Sequence, residues 1–150
     1  MTGVRVLDLP ADKMDGEVIV AFIFTDQKPV RGAAALLDWR LNGILTRNLL
    51  EGTLDGVIGQ RLVVMGGHRV NADWVMFFGC GTAQSLDAIQ LENLLGQILV
   101  LLQQAGFRRV ALAITSPFKG EQDALQKNVE TFLVGHVPRD MECLLTFQGE

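Results

Sequence analysis

Val18-Ile-Val-Ala-Phe-Ile-Phe24 is an unbroken apolar run, rich in β-branched and aromatic residues. No polar residue recurs at the two-residue period of a half-exposed strand, so the run reads as a strand buried on both faces. Such a strand needs helices above and below its sheet. Asp26-Gln27-Lys28-Pro29 breaks it, and Gly32 to about Leu50 then reads as helix. On the other side, Val4-Arg-Val-Leu-Asp-Leu9 mixes apolar and charged residues like a strand near a sheet edge.

Arg61–Met65 and Trp74–Phe78 read as short strands whose brief connection predicts an antiparallel pair. Asp87 to Ala105 reads as a long helix stopped by Gly106, with Asp87 and Gln90 spaced like a capping box and Ser85 a rival cap. Arg109–Thr115 is again an apolar strand. A helix follows from about Glu121 to Val134, with Gly135 as its stop, and Met141–Phe147 is the last strand. Six strands interleaved with three helices predict a three-layer α/β/α domain with a mixed six-stranded sheet. No linker or repeat divides residues 1–150, so one domain is expected.

The 150 residues are 49% hydrophobic and carry a formal charge of −4. That size buries a core without disulfides or a structural metal. Two cysteines 63 positions apart form no disulfide framework, which fits a reducing compartment. The start lacks a basic segment followed by an apolar one, and no apolar run reaches the ~20 residues of a membrane span, so a cytoplasmic protein is expected. Residues 28–70 hold six basic and three acidic groups, too sparse for a nucleic-acid stripe in an acidic chain.

A 100° step along the first helix places Ala34, Leu37, Leu41 and Leu45 on one core-facing stripe. Leu36, Trp39, Gly43 and Leu50 form a second, roughly opposed one. That stripe either packs against a segment of its own chain or forms a subunit interface, in which Leu36, Trp39 and Leu50 are the candidate anchors. The long helix buries Leu91, Leu94, Leu95, Ile98, Leu99, Leu101 and Leu102, and its polar face is rich in neutral amides.

Gly79-Cys80-Gly81 stands between a strand and a helix, as in a dinucleotide fingerprint. Gln84 occupies the third glycine position, and the downstream ribose-binding carboxylate is missing. What survives is a loop that either makes a tight turn or holds an anion on its N–H groups. Ser116-Pro-Phe-Lys119-Gly120 follows the next strand in an equivalent place. Gly79, Cys80, Gly81, Ser116, Lys119 and Gly120 are therefore the candidate ligand-binding residues. Cys80 is also the one positioned nucleophile, with only His68 and His136 as imidazole bases. No zinc spacing, Walker A pattern or Gly-x-Ser-x-Gly appears, so neither catalytic residues, metal ligands nor a cofactor are assigned.

Lys28-Pro-Val-Arg-Gly-Ala-Ala-Ala-Leu-Leu-Asp-Trp-Arg-Leu-Asn-Gly-Ile-Leu, with Thr46-Arg47 and Glu51-Gly52, resembles the N-terminal domain of leucyl aminopeptidases. Leu37-Asp-Trp-Arg-Leu-x-Gly-x-Leu-x-Arg47 is the most specific part, while Trp74–Gly81 and Ala105–Ile114 fit the domain more loosely. The resemblance implies a macro-domain-like fold. In the full enzymes a larger C-terminal domain binds two divalent metals and hydrolyses peptides. Its Asn-Thr-Asp-Ala-Glu-Gly-Arg-Leu motif has no counterpart here, and a two-metal mechanism needs those ligands. The N-terminal domain of those enzymes supports hexamer assembly and in some members contacts DNA. Macro domains proper bind ADP-ribose through an Asn-Ala-Ala-Asn-like segment and a Gly-rich loop, neither of which is found. The leading expectation is a stand-alone, non-catalytic domain acting in protein association or regulation, as a homo-oligomer or with a protein partner. The alternative is a module for a small anionic ligand, nucleotide or ADP-ribose-like, on the loops after Phe78 and Thr115.

Overall fold

The computed structural model describes residues 3–115 and 122–148. Strands β1 (Val4–Val6), β2 (Val18–Ile23), β3 (Arg61–Met65), β4 (Trp74–Gly79), β5 (Arg109–Thr115) and β6 (Glu142–Gln148) form one sheet in the order β1-β6-β5-β2-β4-β3. β3 and β4 pair antiparallel and every other pair is parallel. β2 lies at the centre of the sheet with all six residues buried, as an uninterrupted apolar run requires.

Helices α1 (Gly32–Arg40) and α2 (Ile44–Glu51) cover one face, packing Ala34, Leu37 and Leu45 against Ile19, Ala21 and Ile23. Helices α3 (Ala88–Gln104) and α4 (Gln122–His136) cover the other, where Leu94, Ile98 and Leu133 meet Val18, Val20 and Phe22. This is the three-layer α/β/α arrangement with a mixed sheet. Asp87 caps α3 by accepting the Gln90 N–H at 2.8 Å, whereas Ser85 bonds back to the Thr82 carbonyl. Gly106 ends α3 with φ +87°. Its N–H reaches the Gln103 carbonyl and that of Phe107 reaches Leu102, the paired bonds of a Schellman turn. Gly135 does not end α4, which runs one residue further.

The single helix expected over residues 32–50 is two helices. Asn42 (φ 60°) and Gly43 (φ 77°) are left-handed and break it. Asp38 works on both sides of the break. Its carbonyl accepts the Gly43 N–H at 2.9 Å, closing α1. Its buried carboxylate accepts the Leu45 N–H at 2.8 Å and the Thr46 hydroxyl at 2.6 Å, opening α2. The second apolar stripe therefore does not run along one helix. Leu36 is half-buried against the core, while Trp39 and Leu50 stand on different helices, 71% and 82% exposed. Trp39 is not folded under its own chain. The Arg40 guanidinium lies 5.1 Å from its ring centroid while Arg40 Nε bonds the buried Asp12 carboxylate at 2.8 Å.

Candidate functional site

In an open parallel sheet the carboxyl ends of the strands leave a crevice in which ligands settle. Here β1, β6, β5, β2 and β4 present that edge in order.

At the β4 end, Gly79 donates its N–H to the Gln60 carbonyl at 2.7 Å, Cys80 to Ile23 at 2.9 Å and Gly81 to Gly56 at 2.9 Å. The three amides are thus engaged by neighbouring main chain. A side chain at Gly79 would collide with the Val57 carbonyl, so close backbone packing accounts for that glycine. Cys80 is fully buried with Sγ 3.6 Å from the Phe78 carbonyl, and burial pushes its thiol far above the ordinary range. The Cys143 thiol is likewise raised by burial, to about 12. Beside this loop, Asp26 accepts the N–H groups of Ala83 at 2.8 Å and Gln84 at 3.2 Å. The Ala83 bond foremost holds its carboxyl below the usual carboxylate range. The chain's own anion fills the amide pair that a ligand anion would want.

At the β5 end, Thr115 Oγ1 accepts the Ala33 N–H at 3.0 Å in the first turn of α1. Gly32 takes φ +62° there, with the Thr115 side chain where a Cβ would stand. Ser116, Lys119 and Gly120 lie outside the described residues.

The β1–β6 end holds residues that the sequence did not single out. Val6, Leu7, Asp8, Gln126 and Phe147 line a cavity of about 250 Å³. The segment after β1 is fixed by β6: Leu7 donates to the Leu145 carbonyl at 2.8 Å, and the Thr146 hydroxyl donates to the Leu9 carbonyl at 2.6 Å. Phe147 is half-buried, and Asp8 is exposed with no hydrogen-bond or ion-pair partner among the described residues. Along one edge there follow the Asp8 carboxylate, the Phe147 side chain, the Thr115 hydroxyl and the start of α1.

Two larger cavities lie elsewhere. One, of about 570 Å³, runs along α3 beside His136 and Pro138 with a mainly apolar lining. The other, of about 600 Å³, lies at the amino ends of the strands. There Arg109 is committed to Asp15 at 3.0 Å and Glu142 at 3.2 Å, and Arg5 lies 3.9 Å from Glu142. Among the described residues no group of His, Cys, Asp and Glu could hold a metal ion, and no helix is long and apolar enough to cross a membrane.

The family described as "Cytosol aminopeptidase family, N-terminal domain" matches residues 19–136. A probable cytosol aminopeptidase of Haemophilus ducreyi is 25% identical over 104 residues, 69% of this chain but 21% of that protein. The chain thus spans about a fifth of the length of the curated relatives it matches. Among solved structures, a tomato leucine aminopeptidase mutant superposes with TM-score 0.67 at 15% identity, over 98% of this chain and 32% of that one. A Trypanosoma brucei macrodomain in complex with ADP-ribose gives TM-score 0.69 at 16% identity, over 97% and 63%. These likenesses establish a macrodomain fold, and the family match covers most of the described residues. The chain belongs to the cytosol aminopeptidase family, as its N-terminal domain.

Proposed function

We propose that this domain is a binding module for a purine nucleotide of the ADP-ribose kind, without peptidase activity of its own, and that the base enters the cavity between Asp8 and Phe147. The observation that carries the reading is that cavity, with a carboxylate unpartnered among the described residues beside an aromatic side chain at the carboxyl edge of a macrodomain sheet. Stacking on an aromatic ring contributes about 1–3 kcal/mol per base. The Asp8 carboxylate, an acceptor only, suits the exocyclic amine of adenine. Phosphates would then lie toward Thr115 and the start of α1, with Ser116, Lys119 and Gly120 as the remaining sequence candidates. The Gly79–Gly81 loop acts in this reading through its shape, since its amides are engaged.

Titration calorimetry with ADP-ribose and ADP tests it. Asp8→Ala should weaken binding about ten-fold or more, the loss expected for a hydrogen bond to a charged group. Phe147→Ala should weaken it similarly. Absence of binding at millimolar ligand, or an affinity indifferent to both variants, would sink the reading.

A second reading, protein association through the α1–α2 face, is supported by the exposure of Trp39 and Leu50. Tryptophan is enriched among the residues that carry binding energy at protein interfaces. Light scattering should show Trp39→Ala lowering the assembled mass, and an unchanged mass would remove this surface from consideration.

A further inference from the structure

β3 is the edge strand beyond β4, and its outer side carries no partner among the described residues. The bonds flanking the strand, Gly79 N–H to Gln60 and Gly66 N–H to Asp73, fix which residues face inward. By the alternation of an antiparallel ladder, Leu62 and Val64 turn their main-chain groups to β4, while Arg61, Val63 and Met65 turn theirs outward. The same three side chains lie beside Phe78, Met76 and Trp74, on the face that α3 covers further in. Over β3 that cover has run out: Val63 is 43% and Met65 70% exposed, and Trp74 next to Met65 is exposed too. Natural edges are usually blunted by lysine, proline or inward-pointing charge. The sequence Arg61-Leu-Val-Val-Met65 has none of these, and Arg61 is its one charge.

We propose that β3 pairs antiparallel with β3 of a second copy of this chain, about a two-fold axis through Val63. In that register Val63 faces Val63 of the second copy and Arg61 faces Met65. Each pair is then of the type that exchanges both of its main-chain bonds. This way round the strand keeps its one charge, Arg61, away from Arg61 of the second copy. Antiparallel pairing sends the two arginines to opposite ends, whereas parallel in-register pairing would set Arg61 on Arg61, a destabilising contact. A two-fold contact uses the same patch on both copies, so it closes as a dimer. A five-residue strand makes an interface at the small end of the range, so the dimer comes apart on dilution.

Light scattering of the full chain across a concentration series should show the mass doubling, and Val63→Lys should leave it monomeric with an unchanged circular dichroism spectrum. Val63→Cys should form a disulfide dimer under mild oxidation, because hydrogen-bonded antiparallel pairs place Cα atoms about 5.5 Å apart, within disulfide range. Arg61→Cys alone should not, since it faces Met65. The native cysteines are buried and do not interfere. A monomer into the high micromolar range overturns the proposal. So does equal cross-linking of Val63→Cys and Arg61→Cys, or a dimer abolished by Trp39→Ala but not by Val63→Lys.

Discussion

Asp38 shows how much structure one side chain can decide. It accepts from the Leu45 N–H, the Thr46 N–H and the Thr46 hydroxyl, all from a buried position. Losing a helix cap costs about 0.5–2 kcal/mol, and a buried cap with several donors belongs at the top of that range. Asp38→Ala should therefore lower unfolding stability by about 2 kcal/mol in urea melts, with Asp38→Asn losing less because it keeps an acceptor. An unchanged urea midpoint for Asp38→Ala would show that water replaces the carboxylate at no cost. The residues that most resemble leucyl aminopeptidases, Leu37 to Arg47, thus span a helix junction and its cap. Sequence specificity here marks a backbone device, with Arg40 tying it to Asp12.

At the level of elements, the strongly patterned segments were legible. β2 needed only its apolar run, and α3 announced both ends through Asp87 and Gly106. The break between α1 and α2 was not read, because Leu37, Leu41 and Leu45 keep a continuous helical phase across it. Asn42-Gly43 carried the contrary turn signal, and hydrophobic periodicity masked it. The β1–β6 cavity escaped for a different reason. Asp8 and Phe147 come from opposite ends of the chain and meet only because β6 lies beside β1. Neither belongs to a motif, so local spacing could not join them. The loop glycines at Gly79 and Gly81 were conspicuous in sequence, yet what they satisfy is close main-chain packing.

Across the whole molecule, acidic groups bind the sheet's leading ends together. Glu17 accepts the Arg108 N–H at 2.6 Å and the Arg109 N–H at 2.8 Å, and these bonds hold its carboxyl below the ordinary range. Asp15 is lowered chiefly by its bond from the Arg109 side chain, and Asp26 by the Ala83 N–H at the other end. Carboxylates whose folded pKa lies below the unfolded value stabilise the fold above the unfolded value. That contribution fades as pH falls through the folded one. Stability should accordingly hold from neutrality to about pH 5 and decline below about pH 4, the ordinary carboxylate range. Glu17→Gln should lower stability at pH 7 and flatten the acid decline. Urea midpoints at stepped pH would show it, and parallel acid limbs for the two proteins would count against this role of Glu17.

The parallel pairing of β1 with β6 also gives the domain a direction. The polypeptide enters the sheet at the edge bearing Arg5 and Arg139 and leaves at the opposite edge, beside Asp8 and Phe147. A tether joined ahead of Val4 therefore starts on the far side from the candidate nucleotide cavity, whereas anything spliced on after residue 148 starts at its rim. Immobilising the domain by its amino end keeps the cavity facing outward. Immobilising it by its carboxyl end turns the tether itself into a competitor for the same space.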